Sequence, residues 1–242
     1  MRTTHFLILG MIIMLVTSCG SSKQSSSQEL NNSLSRKEVL RKEAQRKAIK
    51  QARKDAKTYE NEGFKTFIGG LPLEKQIENA WLKAIDIDNA GYPEYIVANA
   101  RVIGGNTTAA KAQAMHMAKV ELASLISSNI AVLIEGSTAN NELSQEEAVS
   151  LNEVLQASKE LITGELGRVL KELEVYRELP NKNCEVMICL SYSTQLALEA
   201  AKQSMVRKMG EGTESLHKKL DKMLDLDKFD PNLNTNLIMD VD

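Results

Sequence analysis

Residues 169–191 read VLKELEVYRELPNKNCEVMICLS. Stretches 169–179 and 185–191 are dense in Val, Ile, Leu and Tyr, the composition of strands. Between them Pro180-Asn181-Lys182-Asn183 is turn chemistry, so the two are expected to pair as an antiparallel hairpin. Cys184 and Cys189 stand at an odd separation on the second strand, which sends them to opposite faces of the sheet. They cannot bond to each other there, and their spacing fits neither a CxxC redox motif nor a zinc site. Cys184 is expected as small apolar packing and Cys189 as an incidental thiol.

Outward from the hairpin the pattern stays regular. Residues 95–103 read as a strand closed by Gly104-Gly105, with Asn106 or Thr107 placed to cap the next helix. Along that helix Met115, Ala118, Leu122, Leu125 and Ile126 share one stripe. Residues 130–134, opening from Asn129, read as a second strand. Ser144 and Glu147 have capping-box spacing for a helix running to about Leu161. After the hairpin, 194–209 is helical and stops at Gly210, and a last helix from about Thr213 to Leu226 leads into a polar tail. Strand, helix, strand, helix, strand, strand, helix predicts an α+β fold, with helices packed on a small antiparallel or mixed sheet.

A long basic helix is expected before this domain, over 35–59. Leu40, Ala44, Ala48, Ala52 and Ala56 recur every fourth residue, and Ser35 with Glu38 has capping-box spacing. A basic helix near a lipid anchor can rest on anionic headgroups. This stripe is thin and lacks Trp and Phe, so packing on the folded domain or on another copy is the favoured expectation. Gly63 and Gly69-Gly70 interrupt the pattern, and Pro72 opens a helix whose buried face holds Leu73, Ile77, Ala80, Trp81, Ala84 and Ile85, ending near Asp88. The Asp86–Gly91 stretch has a passing likeness to a calcium loop. Ala90 occupies a ligand position and Val97 stands where a bidentate Glu is needed, so no calcium site is expected.

The N-terminus carries the sharpest functional signal. Arg2 precedes an apolar run over 6–16, which is too short for a spanning helix of roughly 20 residues and has the length of a signal-peptide core. Val16-Thr17-Ser18-Cys19 then resembles the lipobox of bacterial lipoproteins. The thiol of Cys19 is expected to carry the diacylglycerol, and the small Ser18 lets the peptidase reach the bond before Cys19. Several acyl chains at roughly 0.8 kcal/mol per buried methylene make a lasting anchor. An ordinary signal peptide that merely ends near a cysteine is the less economical reading. No other stretch is apolar enough to span a bilayer, so the remainder is expected to be soluble and tethered. Gly20-Ser21-Ser22-Lys23 lacks the Asp of inner-membrane retention and the acidic cluster of surface export, which points to the outer membrane, facing the periplasm. The expected segments are a lipoprotein signal peptide (1–18), a flexible Ser/Gln/Asn-rich tether (19–34), a helical extension (35–90), the α+β domain (92–210), and a C-terminal helix with polar tail (211–242).

Ala98-Asn99-Ala100, Gly104-Gly105, and the Ala-rich runs 109–114 and 118–123 form one set of markers. Ala157-Ser158-Lys159, Leu173–Arg177 and Glu185–Tyr192 complete it. Together they make residues 92–205 similar to the domain of the 20-kilodalton bacterial membrane-lipoprotein family, which also contains a flagellar assembly lipoprotein. The resemblance implies a small α+β domain, often oligomeric, in the outer-membrane compartment, with structural or adhesive roles and no shared reaction. It therefore transfers no active-site residues and implies no flagellar role.

The residues themselves point the same way. Lys and Arg total 30 against 32 Asp and Glu, a net charge of −2, so the chain has no nucleic-acid footprint. Outside the signal peptide only His116 and His217 are available, and His116, on an amphipathic helix beside Met115, reads as a solvated or capping imidazole. The G-x-S-x-G nucleophile elbow and the phosphate-loop pattern are absent. Gly104-Gly105-Asn106 is expected as a tight turn more than an anion cradle. Carboxylates are expected on solvated helix faces, and Met115, Met117, Met205 and Met209 as core or interface fill. No metal or cofactor is expected. The expectation is a non-catalytic, membrane-anchored envelope lipoprotein that forms homo-oligomers or binds an envelope protein. The alternative is a periplasm-facing lipoprotein that binds a peptide or cell-wall fragment.

Overall fold

The computed structural model describes residues 22–88, 91–209 and 214–224, with side chains from residue 38 onward. Ser18 and Cys19, the signal peptide and the polar tail beyond 224 lie outside the described residues. The elements in chain order are α1 (Ser22–Asn61), β1 (Lys65–Thr66), α2 (Leu73–Ala84), β2 (Tyr95–Gly104) and α3 (Thr107–Ala139). They continue with α4 (Gln145–Glu165), β3 (Leu170–Glu178), β4 (Cys184–Ser193), α5 (Thr194–Met209) and α6 (Glu214–Met223). Strands and helices build one four-stranded antiparallel sheet, in the order β1-β3-β4-β2, covered by helices: an α+β fold.

The chain divides into two units within α1, one up to Glu43 and one from Ala44. In the first, Glu38 and Lys42 pair at 2.7 Å one helical turn apart, and Val39 and Leu40 are exposed. Helix α1 begins at Ser22, inside the stretch read as a flexible tether, and not at the Ser35 capping box. Neither Gly nor Pro occurs between Gly20 and Gly63, and an established helix propagates through polar residues when nothing interrupts it.

In the second unit the sheet has a core on each face. Even-numbered residues of β4, among them Val186, Ile188, Leu190 and Tyr192, join the larger core under α3, α4, α5 and α6. Odd-numbered Met187 and Cys189 join a smaller core with Ala52 and Ala56 of α1, Phe64, and Leu73 and Ile77 of α2. Nine of the ten β4 residues are consequently buried. A strand covered on both faces reads as a near-continuous apolar run. Of the N-terminal Ala stripe, Ala48, Ala52 and Ala56 are buried, whereas Leu40 and Ala44 are exposed.

Residues 130–134 are a correction: they belong to α3 and not to a strand. Ala110, Ala114, Ala118, Leu122, Ile126, Ile130 and Ile134 recur every fourth residue, and each is 0 % exposed. A step of four advances the stripe about 40° around the axis each time, so it winds slowly and still serves one buried surface. The β-branched cluster at its end costs little helix propensity against that burial. The stripe also revises the membrane reading, because α3 is long and apolar enough, by length and composition, to cross a bilayer. Its apolar side is instead taken up by the sheet and α4.

Local signals place the other ends. Asn106 caps α3 by accepting from Ala109 N at 2.9 Å. Ser144 and Glu147 make a reciprocal capping box at the start of α4. Helix α2 stops at Ala84 and does not reach Asp88, because Asp86, Ile87 and Asp88 turn back on Tyr92, Pro93 and Glu94 through backbone bonds and a bridge. The hairpin turns through 179–183, with Lys182 at φ 65°.

Candidate functional site

Two buried carboxylates, Glu185 and Glu172, lie on the sheet face toward α1 and α2. Both stand on strands and depart from the expectation that carboxylates sit on solvated helix faces. Alternation along β4 turns Glu185 inward with Met187 and Cys189, where its residue is 5 % exposed. Directly opposite on β3 stands Arg177, and Arg101 reaches over from β2. Arg177 Nε donates to Glu185 Oε2 at 2.6 Å, and Arg101 Nε donates to the other oxygen. Arg177 Nη1 also donates to the backbone carbonyl of Glu62 at 3.0 Å. Both guanidiniums lie over the Phe64 ring, at 4.7 Å for Arg177 and 5.4 Å for Arg101. The bond from Arg101 chiefly, with that from Arg177, holds the Glu185 carboxyl below its ordinary value although burial pushes it up. With both oxygens engaged by arginines, this carboxylate ties three strands to the end of α1 and offers no free base.

Further along the same face Glu172 sits at a β-bulge between Lys171 and Leu173. The extra residue turns its carboxylate inward, where Ser191 Oγ donates to it at 2.5 Å and both residues are buried. Cys189 lies close by, and burial first, then the Glu172 charge, pushes its thiol up to about 12. It stays protonated at neutral pH, so it is a packing group and no nucleophile. Cys184 faces the other side of the sheet, also buried, where its sulfur accepts from Thr107 Oγ1 at 3.2 Å. The opposite-face placement read from spacing is what the structure has, and both thiols are enclosed because both faces are covered.

Other candidates resolve into local roles. Placing a Cβ on Gly104 would bring it within 3.1 Å of the Ala110 backbone, so the Gly104-Gly105 turn serves close approach of helix and strand. Asn106 Oδ1 already takes the Ala109 amide in the first turn of α3. His116 is exposed, and His217 is half-buried on α6. Met205 is fully buried while Met117 is about half exposed. Asp88 Oδ1 accepts from Gly91 N at 2.8 Å and Tyr92 N at 2.9 Å, which closes a turn in the stretch with the calcium-loop likeness. A cleft of about 140 Å³ beside it is lined by Tyr92, Glu94, Ser193 and Thr194. Within it Thr194 is already engaged: its Oγ1 donates to Pro93 O and its N to Glu94 O. Among the described residues no group of three or more His, Cys, Asp or Glu is placed to hold a metal ion.

Sequence reading missed Gln76. From α2 it accepts from Glu174 N at 2.7 Å and donates to Leu71 O at 2.6 Å, completing the open side of β3 beyond β1. Its one signal was a polar residue on the apolar face of a helix, beside Ile77. Compared with protein-family models, curated proteins and solved structures, the chain matches none.

Proposed function

We propose that this chain is a non-catalytic lipoprotein of the bacterial envelope, held to the outer membrane by lipid on Cys19 and facing the periplasm. Its folded unit serves as an assembly component that associates with copies of itself or with an envelope protein. The lipobox Val16-Thr17-Ser18-Cys19 behind an apolar run carries the reading. The likeness of residues 92–205 to the 20-kilodalton membrane-lipoprotein family supports the assembly role. The state of the interior supports the absence of a reaction: the buried carboxylate Glu185 is bound by arginines, and the Cys189 thiol stays protonated. A buried acid saturated by permanent cations is structural, because a working general acid or base must release its proton near neutral pH.

The test is metabolic labelling with a palmitate analogue in wild type and Cys19→Ala, followed by membrane fractionation. Label and outer-membrane sedimentation in wild type, both lost in Cys19→Ala, are the expected results. Unlabelled wild-type protein, or label that survives the substitution, sinks the anchor. In vivo cross-linking that recovers only monomer sinks the assembly role.

A further inference from the structure

The two edges of the sheet are treated differently. On the β3 side, β1 pairs with Tyr176 and Val175, and Gln76 takes the Glu174 amide. On the other side β2 is an end strand of ten residues. Among the described residues nothing bonds to its outer backbone. Natural edge strands are usually blunted by brevity, proline, a bulge or inward charge. Strand β2 has no proline and pairs with β4 without a register shift from Tyr95 to Gly104, and its one charge, Arg101, is drawn onto Glu185.

Its outward groups can be assigned. Thr194 N donates to Glu94 O at 3.0 Å, continuing the β2–β4 register by one pair. Hydrogen-bonded pairs alternate along an antiparallel ladder, so the even-numbered residues of β2 direct their backbone at β4. Tyr95, Val97, Asn99, Arg101 and Ile103 therefore direct their amides and carbonyls outward.

We infer that the outer edge of β2 pairs antiparallel with β2 of a second copy, about a two-fold axis at Asn99, joining two sheets into one. This rests on the assembly reading above and names its surface. The register that employs every outward residue sets Asn99 against Asn99, Val97 against Arg101, and Tyr95 against Ile103. In it the arginines meet valines and not each other, which avoids the cost of like charges placed opposite. Tyr95 meets Ile103, which is 55 % exposed in the single chain, in a favourable aromatic–β-branched pair. On the other face the same register sets Ile96 against Val102 and Ala98 against Ala100, all apolar. Ala100 and Val102 are only partly buried in one copy, and a second copy completes their cover. Helix α3 packs on this side of the sheet, beside the edge. Lys111 on one flank reaches Glu174 of β3 at 2.8 Å, so the opposite flank, with Ala109, Gln113 and the exposed Met117, lies toward β2. The strand is thus self-complementary on both faces and in its backbone, which singles out a second copy as its occupant.

The test uses the full-length chain in its own membranes. Asn99→Cys should give a disulfide-linked dimer on mild oxidation, because Cα atoms of a hydrogen-bonded antiparallel pair lie about 5.5 Å apart, within disulfide reach. Glu153→Cys, exposed on α4, is the control and should not. Cys184 and Cys189 are buried and do not compete. In detergent extracts, Asn99→Pro removes one outward amide that the fold does not use, and Ile103→Lys places a charge against Tyr95. Each should weaken self-association at least tenfold while leaving the circular dichroism of the single chain unchanged. An oligomer that persists in both variants, with no Asn99→Cys cross-link, overturns the β2 pairing and leaves the assembly role standing. A wild-type chain that stays monomeric overturns the β2 pairing and self-association together, leaving only an envelope protein as the partner of the assembly role. Slow amide exchange at Val97 and Asn99 in such a monomer would give the edge to another part of the same chain.

Discussion

At Glu185 three strands and the end of α1 meet through one carboxylate, with Arg101 and Arg177 donating to different oxygens and Phe64 beneath both guanidiniums. Its folded-state value lies below the ordinary 4.5, so the unfolded chain takes up the proton more readily than the folded one. The stability from this charge is present above about pH 4.5 and fades as pH falls through the folded value. Glu185→Gln should therefore lose about 2 kcal/mol at pH 7, where hydrogen bonds to charged groups contribute about 1.5–3. It should also lose less melting temperature than wild type on further acidification below about pH 5. Thermal melts over a pH series check both, and parallel curves for the two proteins would remove Glu185 from the acid response. At Cys189 the thiol is buried and protonated. Neither it nor Cys184 should react with a thiol reagent at pH 8 until denaturant unfolds the chain, as mass spectrometry would show.

At the scale of the element, α3 supplies the sharpest test. Gly136 lies inside it, with open space where a Cβ would go. Gly136→Ala should stabilise the chain by about 0.5–1 kcal/mol, since alanine loses less backbone freedom in a helix. Ile130 is completely buried, and Ile130→Ala should cost about 2–5 kcal/mol. Chemical denaturation reads both; a destabilising alanine at 136 would contradict a helix there. The segment shows how far element reading from sequence extends. The hairpin turn at 179–183, the capping box at Ser144 and the span 194–209 were legible because each rests on neighbours in sequence. The stretch 130–134 was misread because Ile, Val and Leu in a short run suit a buried strand and a buried helix alike. Only the four-residue recurrence from Ala110 onward separates them.

For the molecule as a whole, the two cores set what can be removed. Both draw on residues from Ala48 onward. Deleting residues 1–43 should leave a single cooperative unfolding transition. Deleting 1–61 strips Ala52, Ala56 and Tyr59 from the smaller core, which uncovers Leu173, Val175, Met187 and Cys189. That shorter form should aggregate or melt well below the first, as calorimetry and light scattering would show. Equal stability of the two truncations would mean that α1 contributes no cover. The sequence by itself determined the α+β class, the hairpin, the turns and most helix ends, and it carries the lipobox-like run on which the proposed anchor rests. Each of these is written in contacts between near neighbours or in the period of apolar residues. Tertiary structure alone decided that β4 is covered on both faces, that Glu185 and Glu172 turn inward to partners on other elements, and that nothing among the described residues bonds to the outer edge of β2. Those outcomes depend on which distant strands and helices share a layer, and pairings across such separations leave no local period to read.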